Sequence, residues 1–397
     1  VSIVLLEFLS FGLGRLAEAA EALDEELVLF TAHRPLYAHE LATVPPDRVR
    51  VVDIDTTDTA KCEAAARDLP DLRGLISSTD TWAAPGADLA ARLGLPGPDP
   101  AAVRVLRDKA AVRARLYEHG LSRGVAVPPH EAASLGFPLV VKDSAGTSSR
   151  AVWVVRDDAE LAEVLARAAD VPLKGDLLAE PYFAGPLYSA ETITWEGRTR
   201  LLGVTSRHLS PEPLRREENS SFPVVLPQDE HGALVDWISR VLAAAGHGRG
   251  FAHTEFVWTV DGPEVVEINA RIGGALVGEA LCTALATNVY TALVEVALGR
   301  EPDLLTAPLG TGPAVAFQAL YPTTTGVLDG WTGLDRLAGL PGSPRWFPTT
   351  TPGAVVEHLE DQRGCTGIVL VEGPTAELAL HRAAAAGNVI GHTVRAG

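Results

Sequence analysis

Short apolar runs separated by alanine-rich amphipathic stretches organise the first hundred residues. Runs at 2–7, 26–31, 49–54 and 74–78 have the length of buried strands, and the stretches after Gly12-Leu13-Gly14 and around 60–68 have helical character. This alternation predicts a parallel sheet with helices on both faces. The turn Phe11-Gly12-Leu13-Gly14 lacks the third glycine of a dinucleotide fingerprint, so it reads as a tight strand-to-helix turn. Gly94-Leu-Pro-Gly-Pro-Asp-Pro100 is dense in chain breakers and marks the exit from this unit.

Beyond it, a helix opens at Asp108-Lys109 and ends near His119-Gly120. An apolar strand, 137–142, ends in Lys142, and a small-residue loop, 144–150, leads to a strand at 151–155. A helix at 158–169, a short strand around 177–180, a strand pair at 196–208 and a polar loop at 210–222 follow. Next come a helix at 229–245, a hairpin turning at Asp261-Gly262-Pro263, and one apolar helix spanning 276–298. The tail mixes strands at 314–320 and 367–371 with a helix near 375–386.

Composition narrows the class. The 397 residues are 47% apolar and 21% charged, which is globular and large enough for two or three domains. A net charge of −18 argues against a nucleic-acid or anionic-membrane partner, both of which need a basic face. Cys62, Cys282 and Cys365 form no Cys-x-x-Cys or Cys/His cluster, so neither a disulfide framework nor a zinc site is expected. Ala17-Glu18-Ala19 resembles a signal-peptidase site, yet no basic region precedes it and Glu7 interrupts the apolar run. Glu279, Asn288 and Glu295 speak against a membrane span at 276–298. A cytoplasmic protein is expected.

The chemistry concentrates in Thr254-Glu255-Phe256 and Glu267-Ile-Asn269-Ala-Arg271-Ile-Gly273-Gly274. Strand alternation puts Glu267, Asn269 and Arg271 on one face. A two-residue Asp261-Gly262 turn would put Glu255 on the face of Ile268, and a three-residue loop would set it opposite Asn269. An odd-length loop or a bulge is therefore expected. Two carboxylates and an amide oxygen suit Mg²⁺, although two acids on the solvated face of a hairpin are equally ordinary. The loop 144–150 after Lys142 offers N–H groups and hydroxyls to phosphates, or is a plain hairpin turn; it is no Walker loop. His208, His253 and His358 read as structural. The polar segment 206–223, with Arg207, Arg215, Arg216, Glu217 and Glu218, is a candidate substrate cover or a solvated loop.

In order, Asp108-Lys109, Pro-Leu-Val-Val-Lys142, the loop 144–150, Leu-Leu-Ala-Glu180-Pro-Tyr182-Phe183, Tyr188-Ser-Ala-Glu191, Thr-Glu255-Phe and Glu267-Ile-Asn269-Ala-Arg271 form a series. That series resembles the ATP-grasp superfamily, and within it the carboxylate–amine ligases, especially bacterial L-amino-acid ligases. The resemblance implies an α/β fold: a Rossmann-like domain at 1–98, an ATP-grasp lid at 99–183, a catalytic subdomain at 184–300 and an α+β extension packed on it at 301–397. It implies ATP held by Lys109, Lys142, Ser144, Gly146, Thr147, Ser148, Ser149, Glu180, Tyr182 and Phe183. It further implies two Mg²⁺ ions on Glu255, Glu267 and Asn269, and Arg271 on the reacting acyl group. The family's ribose-binding glutamate is replaced by Leu187, so either Glu191 or another acid takes its place or ribose recognition is weaker. Arg207, Arg215, Arg216, Glu217, Gly273 and Gly274 are carried as substrate-binding candidates. The implied activity joins a carboxylate, an amino acid in the first instance, to an amine. Its partners are those two small molecules, with a homodimer as the assembly considered. An ATP-grasp carboxylase activating bicarbonate and a non-catalytic nucleotide-binding module are the alternatives.

Overall fold

The computed structural model describes residues 2–212, 214 and 216–396. Strands β1 (Ser2–Leu6), β2 (Glu26–Thr31), β3 (Val49–Asp53) and β4 (Leu72–Ile76) form the expected parallel sheet, in the order β3-β2-β1-β4. Every residue of β1 is buried, as a central parallel strand covered on both faces requires. The turn after it is structural. Gly12 sits at φ 100°, a Cβ there would overlap the Tyr290 hydroxyl, and the N–H groups of Gly12 and Gly14 donate to the Glu40 carboxylate at 3.0 and 3.2 Å.

A small antiparallel sheet follows, built of β5 (Leu139–Asp143), β6 (Val152–Val155) and β7 (Leu177–Pro181) in the order β6-β5-β7. Its own core of Leu139, Val141, Val155, Val164 and Ala179 is closed by the helix Asp158–Ala168.

The remaining strands are β8 (Leu187–Trp195), β9 (Arg198–Leu209), β10 (Glu217–Phe222), β11 (Arg249–Thr259), β12 (Gly262–Asn269), β13 (Ala314–Leu320), β14 (Gly326–Thr332), β15 (Arg345–Pro348), β16 (Val355–Val356), β17 (Gly367–Gly373) and β18 (Gly391–Arg395). Eight of them form one sheet, β12-β11-β8-β9-β10-β13-β17-β15, so tail strands extend the sheet that carries the acidic hairpin. The other three pair as β16-β14-β18. The largest apolar core joins the parallel sheet to the large one through Ile3, Leu5, Leu281, Tyr290, Val294, Phe251 and Val315.

Three expectations are corrected. The helix expected over 276–298 is two, Val277–Ala284 and Tyr290–Ala297. Ala286 turns left-handed at φ 46°, and the Asn288 side chain accepts from the Tyr290 N–H while donating to the Arg15 carbonyl. The strand pair expected at 196–208 is a single strand, β9; its partner is β8, joined to it through Glu196-Gly197. The polar loop expected at 210–222 is corrected over its second half, where Glu217–Phe222 is an interior strand between β9 and β13. Apolar alternation is missing there because buried Ser206 and Ser221 bond each other at 2.7 Å and Glu217 faces a cavity. Among the described residues no helix is long and apolar enough to cross a membrane.

Candidate functional site

The hairpin β11–β12 turns at Val260-Asp261 and pairs Thr259 with Gly262. Uninterrupted, that register would set Glu255 opposite Val266. A bulge intervenes: Phe256 pairs with Val265 and Glu255 with Glu267, leaving Val266 as the extra residue. Directly opposed side chains share a face, so the bulge and not the turn length brings the two carboxylates together. Asn269 then stands opposite His253, not Glu255. Ile268 points the other way, into the core.

Each carboxylate has a cationic neighbour. Lys109 Nζ lies 3.0 Å from Glu267 Oε2 and donates to the Gly146 carbonyl at 2.6 Å. Arg207 Nη1 lies 2.8 Å from Glu255 Oε1. Burial by itself would raise the Glu267 carboxyl, but Lys109 and the Asn269 amide, donating at 2.9 Å, hold it well below the usual range. That bond directs the Asn269 nitrogen to Glu267, so its Oδ1 is not the acceptor there. Two carboxylates and an amide on one face form a hard-oxygen donor set that fits Mg²⁺.

Glu255, Glu267, Lys109 and Arg207 open into a cavity of about 460 Å³ lined by all parts of the chain, whereas Asn269, expected as a metal ligand, is buried against Glu267 and does not line it. From the small sheet and its loop come Lys142, Gly146, Thr147, Ser148 and Ser149, and from the hinge Glu180, Tyr182 and Phe183. Ser148 and Ser149 are left-handed, at φ 59° and 56°, a costly backbone for two successive non-glycine residues. Asp143 anchors the loop base by accepting from the N–H groups of Ala145, Lys174 and Gly175. Ser144 does not line the cavity, since its hydroxyl accepts from Asp176 N.

Lys142 Nζ pairs with Glu180 Oε1 at 2.5 Å and donates to the Val266 carbonyl at 3.3 Å, a group exposed by the bulge. Burial pushes the Lys142 ammonium below its ordinary value, even against the pull of Glu180. Arg113, 3% exposed, joins this hinge to the hairpin: it reaches Glu180 at 3.2 Å, Glu264 at 3.3 Å and the Val265 carbonyl at 2.6 Å. Removing it leaves buried carboxylates short of a counter-charge, so Arg113→Met is expected to cost about 3–5 kcal/mol. Chemical denaturation checks this; an unchanged midpoint would show Lys142 and Arg123 to suffice.

The other candidates divide between the cavity wall and the interior. Arg271 lines the cavity and is gripped by Asp80, its Nε at 3.0 Å from Oδ1 and Nη2 at 2.5 Å from Oδ2. Glu191 does not line the cavity. It is buried, accepting from Ser189, Thr205 and His253 Nδ1. Leu187 and Val257 line the wall instead. Burial alone would lower the His253 ring, but Glu191 at 2.9 Å lifts it to about 9. His253 Nε2, 2.7 Å from Arg207 Nη1, has the approach of a neutral ring accepting from a donor; Glu255 Oε1, 3.5 Å away, is the acceptor a charged ring would use.

Gly274 lines the cavity, while Gly273 packs on His253 and Val277 with no room for a Cβ. Arg207 and Glu217 line the cavity as a 3.2 Å pair. Arg216 does not; it stacks over Tyr321 at 4.5 Å. Arg215 lies outside the described residues. Sequence reasoning missed Asp80, Arg113 and the role of His253 in bridging Glu191 to Arg207. Asp80 had a signal: Ser-Ser-Thr-Asp follows the carboxyl end of a parallel strand, where open α/β sheets place ligands.

Residues 135–279 match the ATP-grasp domain family. The chain carries an ATP-grasp domain. The matched span runs from the strand of Lys142 through the acidic hairpin to Arg271, and the L-amino acid ligase C-terminal domain 2 family matches 318–393 beyond it. The ATP-grasp fold extends over the whole chain. An L-amino acid ligase from Bacillus licheniformis superposes with a TM-score of 0.85 at 21% identity, covering 99% of this chain and 98% of that one. The biotin carboxylase domain of Hydrogenobacter thermophilus 2-oxoglutarate carboxylase, in complex with MgADP and bicarbonate, gives 0.76 at 15% identity, covering 99% and 90%. In sequence, protein y4rH of Sinorhizobium fredii is 28% identical over 380 residues, 90% of this chain and 76% of that protein. Carnosine synthase 1 of Gallus gallus is 28% identical over 250 residues, 55% of this chain but only 26% of that longer protein.

Proposed function

We propose that this ATP-grasp chain is an ADP-forming carboxylate–amine ligase that activates an amino-acid carboxylate as an acyl-phosphate and joins it to an amine. One observation carries the reading. The bulged hairpin holds Glu255 beside Glu267, with Arg271 on the following turn, in one cavity with the loop 146–149 and Lys142, and Asn269 bonds Glu267 from behind that lining. The matches to L-amino acid ligase and carnosine synthase support the amide-forming chemistry.

Lys109, Lys142 and the loop 146–149 hold the phosphates, and the hinge 180–183 holds the adenine. The ribose lies against Leu187, with Glu191 committed to His253. Two Mg²⁺ ions, held by Glu255, Glu267 and Asn269, would neutralise the transferring phosphoryl group. A substrate carboxylate oxygen attacks the γ-phosphorus and ADP leaves. A neutral amine then attacks the acyl carbon, phosphate leaves, and the amine's proton goes to solvent. Arg271, aimed by Asp80, stabilises the oxyanion of the tetrahedral intermediate. Closure of the loop keeps water from the acyl-phosphate.

The test is ADP release in a coupled assay over pairs of amino acids, with products identified by mass spectrometry. Release requiring both an acid and an amine supports the ligase. Release driven by bicarbonate alone, or nucleotide binding with no release for any acid, would replace it with a carboxylase or a binding module.

A further inference from the structure

Beside the nucleotide cavity lies a second one of about 200 Å³, walled by Leu9, Phe11, Phe317 and Ile368. Among the described residues its lining carries two carboxylates, Glu217 and Glu218, and no lysine or arginine. Glu217 borders both cavities, so it stands where a substrate would pass from one to the other.

The hydroxyl of Tyr321 donates to the Glu217 carbonyl at 2.9 Å, and Ser220 donates to Glu217 Oε1 at 2.9 Å, so the acid is fixed from two sides. Its Oε2 lies 3.2 Å from Arg207 Nη2. Arg207 reaches on to Glu255, and its Nε has no partner among the described residues. A guanidinium and a carboxylate side by side mirror the carboxylate and ammonium of an α-amino acid. Glu218 and its partner Arg216 stay outside the nucleotide cavity, whereas Glu217 and its partner Arg207 both line it, so Glu217 is the acid that a ligand spanning the two cavities meets.

We propose that the acid activated here is an α-amino acid with an uncharged, apolar side chain. Its carboxylate lies at Arg207 near the acidic hairpin, its ammonium on Glu217, and its side chain in the second cavity. The proposal rests on the ligase reading above. At about 30 Å³ per water-sized atom the space holds roughly four to seven carbon atoms, the range from an aliphatic chain to a benzyl group. The assignment of Glu217 to the acid-donating substrate follows from chemistry. A carboxylate beside an ammonium keeps it protonated, which suits a spectator amine and would disable the amine that must attack.

The experiment uses the whole enzyme with ATP, Mg²⁺ and hydroxylamine as the amine, measuring hydroxamate and ADP for each common amino acid and its des-amino analogue. Leucine and phenylalanine are expected to exceed aspartate, lysine and glycine in kcat/KM by at least about tenfold, the discrimination one or more methylenes give in an apolar pocket. Ala319, in the cavity wall, offers the steric test. Ala319→Leu is expected to raise the KM for phenylalanine at least about tenfold and leave alanine within about threefold. Glu217→Gln is expected to erase the preference for leucine over its des-amino analogue. Hydroxamate formed best from charged amino acids or glycine, or a preference order untouched by Ala319→Leu, overturns this assignment and leaves the ligase standing. No ADP release with any carboxylic acid overturns the ligase reading itself. Should Ala319→Leu not fold, the wild-type profile decides.

Discussion

Arg271→Ala is expected to lower kcat by about 10²–10³-fold, the loss seen when one preorganised oxyanion donor is removed, with ATP affinity within a few-fold of wild type. Arg271 follows the hairpin by two residues, and its own N–H donates to the Asn269 carbonyl at 2.8 Å, so the acidic face of the hairpin and the guanidinium are tied together. Asp80 grips both Nε and Nη2, while Nη1 donates to the Ile272 carbonyl at 3.0 Å. A planar fork held this way needs no reorganisation when charge develops on an acyl oxygen. Arg271→Lys keeps the charge and loses the fork, so it is not expected to rescue the rate. The fold should survive, because Asp80 retains Arg107 at 3.5 Å. Steady-state ADP release and calorimetric ATP binding check this together. A near-normal rate in Arg271→Ala would remove the guanidinium from the reaction.

Much of this arrangement was written locally. The apolar runs of β1, β2 and β13 are continuous and bounded by turn residues, and their extents follow from the sequence almost to the residue. Glu267 and Asn269 share a face of β12 by strand alternation alone. Non-local geometry was out of reach. A one-residue bulge at Val266 decides which acid faces Glu255, and nothing in Glu264-Val265-Val266-Glu267 announces it. Asp80 comes 191 residues before the arginine it grips. Glu191 shares the Leu187 face of β8, yet it serves His253 instead of the nucleotide, because His253 stands directly opposite it and takes up its carboxylate. Strand β10 was hidden for a related reason: a strand whose side chains serve a site cannot show the apolar pattern by which strands are read.

Glu267→Gln tests the other half of the site and is expected to reduce turnover by about 10²–10³-fold while raising the Mg²⁺ concentration needed for half-maximal rate. The substitution keeps the shape and removes one charge. Lys109 then faces the phosphates with its carboxylate partner gone and only the Gly146 carbonyl left. The pH dependence separates this role from general acid–base catalysis. Because Lys109 and Asn269 hold the Glu267 carboxyl well below its ordinary range, it stays ionised as pH falls through the usual carboxylate pKa. Its contribution to stability is present above that range and is lost only at more acidic pH, so no limb of the rate profile between about pH 5 and 8 belongs to it. The same rise in Mg²⁺ requirement is expected for Glu255→Gln. If the two acids hold ions together, Glu255→Gln and the double variant should lose rate far less than additively, as groups acting as a unit do. Strict additivity, with the Mg²⁺ requirement unchanged in both single variants, would return the two carboxylates to the solvated face of an ordinary hairpin.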